Sequence, residues 1–207
     1  PEDWHFGATI SPILKEDGDW SKFLPTYEAQ YKQNFDTYSC TVFGGTNQIE
    51  TLLNFLDKKE FNFSERYQAN IMGIEPPGAN PNDFYQSVRH DGLLTQIELP
   101  FPDSLAEWRT PRPMTEELLS KGRLWLNYYE LEHEWLMSPT HESIATALKF
   151  SPIALSVTAW FQDDKGLYVD NGWQNSHWCL GFKAYPDGRI DVFDSYDHEI
   201  KTLHLFF

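Results

Sequence analysis

Asp36-Thr37-Tyr38-Ser39-Cys40-Thr41-Val42-Phe43-Gly44-Gly45-Thr46-Asn47-Gln48-Ile49-Glu50 is a loop of cap-forming side chains, then a cysteine, then an apolar-periodic run. Val42, Thr46, Ile49, Leu53 and Leu56 recur at spacings of three and four, and Phe43 and Leu52 widen the stripe. That is the period of an amphipathic helix. Ser39 is a residue type that caps helix starts, so a helix is expected over about residues 39–56. Cys40 then stands in the first turn, at the positive end of the helix dipole, which favours a thiolate. The thiolate is the nucleophilic form, so the position suits covalent catalysis. The competing reading is a lone cysteine that fills space in a core.

Upstream, residues 1–35 are rich in Pro, Gly, Asp and aromatics without a sustained period, and read as extended structure wrapped on the rest. Downstream, Ser64 is placed to cap a short second helix. A loop with three Pro and two Gly fills 73–81. Asn82-Asp83 opens a third helix with Phe84, Tyr85 and Val88 on its apolar side, and Asp91-Gly92 stops it. Residues 98–102 read as extended, 116–119 as helix, and 123–137 as an aromatic-rich segment. His133 lies there among Glu130, Glu132 and Glu134. A metal reading lacks a second histidine three to five residues away, which favours a solvated charged face.

From His141 the texture changes. A short helix over 141–148 gives way to strands at 153–159, 178–185 and 190–193. The last two are joined by the turn Pro186-Asp187-Gly188-Arg189. A helical first part and a sheet-rich second part describe an α+β fold of two lobes. The lobes divide as a helical one over about 36–140 and a β-rich one over about 141–207 that includes the N-terminal segment. The length of 207 residues suits a single domain.

Composition narrows the function classes. Fifteen Phe, ten Tyr and eight Trp supply a sizeable core. A net charge of -15 disfavours binding to nucleic acid or to anionic membranes, and chiefly keeps the chain soluble. No run of about 18 apolar residues is present. Two cysteines, Cys40 and Cys179, are too few for a disulfide scaffold, and a single bridge between them would consume the nucleophile. The abrupt start at Pro1 and the apolar end suggest an excised or processed chain. No cofactor or metal is called for.

A thiolate nucleophile needs a base, and the base needs an orienting group. His177 precedes one strand of the proposed hairpin and Asp194 follows the other. A hairpin brings its open ends together, so these two side chains can meet at one end of the sheet. Cys40, His177 and Asp194 thus form a candidate triad.

Around these residues the chain resembles the papain-like cysteine peptidase family. Cys40-Thr41-Val42-Phe43 with Ile49-Glu50 is similar to the family's Cys-Trp-Ala-Phe and Ile-Glu at the same offsets. Phe63-Ser64-Glu65, Asp91-Gly92-Leu93-Leu94 with Glu98-Leu99-Pro100-Phe101, and Ser151-Pro152-Ile153 resemble its later motifs. Ser176-His177 with Leu180-Gly181-Phe182 resembles its histidine motif, and Phe193-Asp194-Ser195-Tyr196 its Lys-Asn-Ser-Trp. The order and spacing agree over nearly the whole chain.

The resemblance implies a helical lobe and a β-rich lobe with an active-site cleft between them. It implies Cys40 as nucleophile, His177 as its ion-pair partner, and Asp194 in place of the usual Asn as the orienting group. It also implies an oxyanion-hole glutamine ahead of the cysteine. Gln30 fits that residue's surroundings but lies ten residues before Cys40, where the family has six, which implies a small insertion; Gln33 and Asn34 are the alternatives. Thr41 departs from the family's Trp, the paired disulfide cysteines are missing, and Asp197-His198-Glu199-Ile200-Lys201 replaces a Gly-x-x-Trp-Gly run. This is the pattern of a divergent, microbial- or phage-type member in a reducing setting, cytoplasmic or virion-associated. The implied function is hydrolysis of protein or peptide substrates through an acyl-enzyme. The alternatives are an inactive papain-like binding or structural module, and a related amidase or isopeptidase.

Overall fold

The structure is a computed structural model that describes residues 6–7, 11–32, 34–170, 172 and 177–204. Its central element is helix α1 (Cys40–Asp57). Val42, Phe43, Ile49 and Leu53 of α1 join one apolar cluster with Phe84, Val88, Trp108 and Trp125. Leu52 and Phe55 pack against a second cluster built from Trp20, Leu148, Leu180, Phe182, Val192, Phe193 and Leu203. The helix is therefore enclosed on most of its circumference, and Asn47, Glu50, Thr51 and Asn54 are buried with the apolar residues. Their polar atoms are accommodated: Asn54 donates to Phe23 O and accepts from Phe61 N–H, and Glu50 accepts from Phe63 N–H.

Two details of α1 differ from the sequence reading. Ser39 precedes the helix without capping it by its side chain; its hydroxyl donates to Thr37 O at 3.0 Å. Leu56, at the end of the expected stripe, is exposed. A stripe describes a helix with one buried face, whereas the last turn of α1 is covered on the side of Asn54 and Phe55 and leaves Leu56 facing out.

The helical part is completed by α2 (Glu65–Ile71), α3 (Pro81–Asp91), α4 (Leu105–Trp108) and α5 (Glu116–Arg123). Ser64 caps α2 by accepting from Tyr67 N–H, and Asn80 caps α3 by accepting from Asn82 N–H. Gly92 ends α3 at φ 67°, a conformation that favours glycine. Residues 98–102 are not a continuous extended run: Glu98 and Leu99 bond back to Thr95 O in a turn. The short α4 had no clear period to reveal it.

The β-rich part begins with α6 (His141–Ala147), held by a reciprocal Thr140–Ser143 capping box. It continues into an antiparallel sheet of β3 (Ile153–Val157), β4 (His177–Ala184), β5 (Ile190–Phe193) and β6 (Lys201–Leu203), in that spatial order. The described residues between β3 and β4 are mostly irregular, with an isolated Gln162–Tyr168 bridge. β6 was not anticipated, because three residues carry too little alternation to be seen. The N-terminal segment straps this lobe: Trp20 donates its indole N–H to Leu148 O at 2.8 Å and its backbone N–H to Phe182 O at 3.0 Å. Among the described residues no helix is long and apolar enough to cross a membrane.

Candidate active site

Strand register assembles the first half of the site. Leu180 of β4 pairs with Phe193 of β5, so His177 at the start of β4 and Asp194 just past β5 lie at the same end of the hairpin. His177 is the first residue of the strand rather than the residue before it. Its Nε2 lies 2.6 Å from Asp194 Oδ1, which also accepts the Ser195 N–H at 2.7 Å. Both side chains are enclosed, at 1% and 0% relative exposure. Tyr196 stacks on the imidazole at 4.6 Å and 29°, and Trp160 meets it edge-on at 5.7 Å. The ring is thus fixed in orientation by packing and by hydrogen bonding.

The approach of α1 to β4 brings in Cys40. A Cβ on Gly44 would lie 2.8 Å from the Trp178 ring and 3.0 Å from the Trp178 carbonyl oxygen. Any side chain there would push the helix off the strand, so the glycine one turn into α1 sets how closely the cysteine meets the histidine strand. Thr41 donates its hydroxyl to Ala79 O at 2.9 Å, tying the helix start to the loop before α3. Cys40 is partly exposed, Cys179 is buried in β4, and both are free thiols.

The electrostatics separate the two cysteines. Burial pushes the Cys40 thiol up, but the neighbouring His177, helped by the Trp178 backbone and the Thr41 hydroxyl, outweighs it, and its pKa falls below the ordinary thiol value. For His177, burial works against the charged ring, while Asp194 and then Cys40 favour it and raise its pKa to about 9. Asp194 is raised by burial and lowered more strongly by His177 and Lys201, so it stays below the usual carboxylate range. Cys179 has burial as its main influence and is pushed well above the ordinary thiol value, which keeps it neutral and inert.

Gln30 is buried at the rim of this group. Its Oε1 accepts from Ser195 Oγ at 2.7 Å, its Nε2 donates to Asp36 Oδ1 at 3.1 Å, and its backbone N–H bonds Ser195 O. The residues between Gln30 and Cys40 form a small hairpin, β1 (Tyr31–Lys32) against β2 (Phe35–Asp36). Asn34 is exposed in that hairpin's turn, and Gln33 lies outside the described residues, as does Ser176 of the histidine motif.

His133 does not sit on a solvated charged face: it is half-buried, with its ring stacked on Tyr85 at 4.9 Å. Among the described residues no group of three or more His, Cys, Asp or Glu is arranged to hold a metal ion. The sequence reading missed Lys201, whose ammonium is buried beside Asp194 at 3.0 Å. No clear sequence signal marked it, because the strand that buries it is too short to be read from alternation.

No family model and no curated protein matches the chain by sequence. Solved structures do match by shape. The digestive procathepsin L 3 of the Tenebrio molitor larval midgut aligns at a TM-score of 0.70 and 14% identity, over 96% of this chain and 67% of that one. The digestive procathepsin L2 proteinase of the same tissue aligns at 0.67 and 15%, over 94% and 63%. The chain therefore spans about two thirds of the length of these proteins. The likeness is one of architecture: the chain has the α+β fold of the papain-like cysteine peptidases.

Proposed function

We propose that this chain is a papain-like thiol hydrolase that cleaves peptide bonds with Cys40, His177 and Asp194. What supports the reading is the arrangement: Cys40 opens α1 beside the His177 strand, and the enclosed His177 imidazole is held by Asp194 at 2.6 Å, a setting that lowers the thiol and raises the imidazole. Together they describe a thiolate–imidazolium pair, poised at a helix N-terminus and partly open to solvent.

The thiolate attacks the substrate carbonyl carbon and the π electrons move onto oxygen. The Cys40 backbone N–H at the start of α1 and the second Nε2 hydrogen of Gln30, the one not given to Asp36, supply the oxyanion donors. His177 passes its proton to the leaving amine, and the C–N bond breaks to leave a thioester. Water then attacks the thioester while His177 takes its proton, and the acid departs with the thiolate restored. Asp194 holds the ring in the orientation both steps need, and Tyr196 keeps water off the His177–Asp194 bond.

Iodoacetamide alkylation followed over pH is the direct test. Cys40 is expected to react well below the pH at which an ordinary thiol ionises, and His177→Ala should abolish that early reactivity. Hydrolysis of a mixed peptide library should disappear in Cys40→Ala. An ordinary thiol profile, unchanged by His177→Ala, would overturn the catalytic reading. A thiolate–imidazolium pair without peptide hydrolysis would instead turn the assignment to a different amide substrate.

A further inference from the structure

Asp194 is a carboxylate at 0% exposure, in a place where the resemblance leads one to expect a neutral amide. A buried anion is costly unless it is paired. Its Oδ1 is served by His177 and the Ser195 N–H, while its Oδ2 accepts no hydrogen bond and has the Lys201 ammonium 3.0 Å away. Lys201 is itself only 2% exposed. It pairs with Val192 in the β5–β6 register, two residues from Asp194 along β5, and its position follows from the strand and not from a flexible surface arm. The ammonium hydrogen-bonds Asp197 Oδ1 at 2.6 Å and lies over the rings of Trp160 at 5.2 Å and Tyr168 at 5.9 Å. Trp160 is the same ring that meets His177.

We propose that Lys201 is a positioning residue of the site, a fourth charge that acts on His177 and Cys40 through Asp194. The inference rests on the thiolate–imidazolium reading above. Lys201, Asp194, His177 and Cys40 alternate in sign from the core outward and sum to zero in the reactive state. A lone anion behind the histidine would hold the imidazolium too firmly for it to release its proton to a leaving group. A cation behind the anion draws off part of that field. Beyond these four, the titratable groups facing Asp194 and Lys201 are Asp197, Cys179, Tyr27 and Tyr168, with Tyr196 over the ring. Of these only Asp197 is a carboxylate.

The sign follows from Coulomb's law. Removing the Lys201 cation makes protonation easier at both reactive groups, so Cys40 and His177 both titrate at higher pH. The readout is the pH profile of Cys40 alkylation, which needs no peptidase activity. In Lys201→Met both limbs should move to higher pH, with alkylation on the acid limb slowed about 3- to 10-fold at fixed pH. Lys201→Arg should restore the native profile. Should Lys201→Met fail to fold, Asp197→Asn carries the test. It removes a partly exposed anion, leaves Lys201 to Asp194 alone, and should move both limbs to lower pH. A folded Lys201→Met with unchanged midpoints, or an Asp197→Asn profile that does not move, overturns the proposal. A wild-type profile without an early thiolate overturns the thiolate–imidazolium reading, and is thereby told apart from failure of the Lys201 proposal.

Discussion

Two groups of buried carboxylates lie on either side of α1, and they are stabilised in opposite ways. Asp194 is wedged between His177 and Lys201 and is held ionised. On the other side, Glu50 of α1 and Glu65 of α2 are both buried, with Glu28 half-buried beside them, and none of the three pairs with Lys, Arg or His among the described residues. Glu50 accepts from Phe63 N–H at 2.6 Å, and Glu28 accepts from Asn62 and Gln96. Burial first, then mutual repulsion, pushes Glu50 and Glu65 well above the usual carboxylate range, and burial raises Glu28. The same chemical group is held low where cations were brought to it and pushed up where none were.

The largest expected effect breaks the charged side. Asp194→Ala leaves His177 and Lys201 without their shared anion, and urea unfolding should show a loss of about 3–5 kcal/mol. A loss under about 1 kcal/mol would mean that the carboxylate is not the hub of this cluster. Next in size is a pH effect on the same side. Alkylation and hydrolysis that depend on the imidazolium should change as pH rises through about 9, where His177 loses its proton. An alkaline limb that begins near neutrality would contradict the coupling to Asp194.

The smallest effect tests the uncharged side. Carboxyls with raised folded-state pKa add stability that is fully present below the unfolded value near 4.5 and is lost as pH rises through the folded pKa. The melting temperature should therefore decline from mildly acidic to mildly alkaline pH. Glu65→Gln keeps the shape and removes the titrating proton, so it should flatten that decline and gain about 1 kcal/mol at alkaline pH. A decline as steep as in the wild type would show that Glu65 is not among the groups responsible.

Much of this arrangement was legible before any coordinates. The Ser64 cap, the Gly92 stop and the Pro186–Arg189 turn signal local geometry through residues that cap, stop or turn the chain, whereas the third helix, expected to open at Asn82-Asp83, starts at Pro81 with Asn80 as its cap. Cys40 at a helix start was readable from the apolar period together with Ser39 as a cap-type residue. Ser39 shows the limit of that reasoning: it has the right chemistry for a cap, but its hydroxyl finds Thr37 O instead. His133 shows another, since neighbouring glutamates in sequence say nothing about the Tyr85 ring that covers it. The sequence left Gln30, Gln33 and Asn34 as alternatives for one role because spacing along the chain does not say which side chain reaches the Asp194 end of the sheet. In space Gln30 is bonded to Ser195, 165 residues away in the chain.

By itself the sequence determined the helix that carries Cys40, the change from helical to β texture, and the hairpin that can bring His177 to Asp194. These follow from periodicity and turn chemistry, which act over a few residues. Only the tertiary structure decided which charges share a buried space. Lys201 reaches Asp194 through the β5–β6 register, and Glu28, Glu50 and Glu65 meet where three separate segments pack. Electrostatic energy depends on distance and burial, and neither is written in the order of residues along the chain.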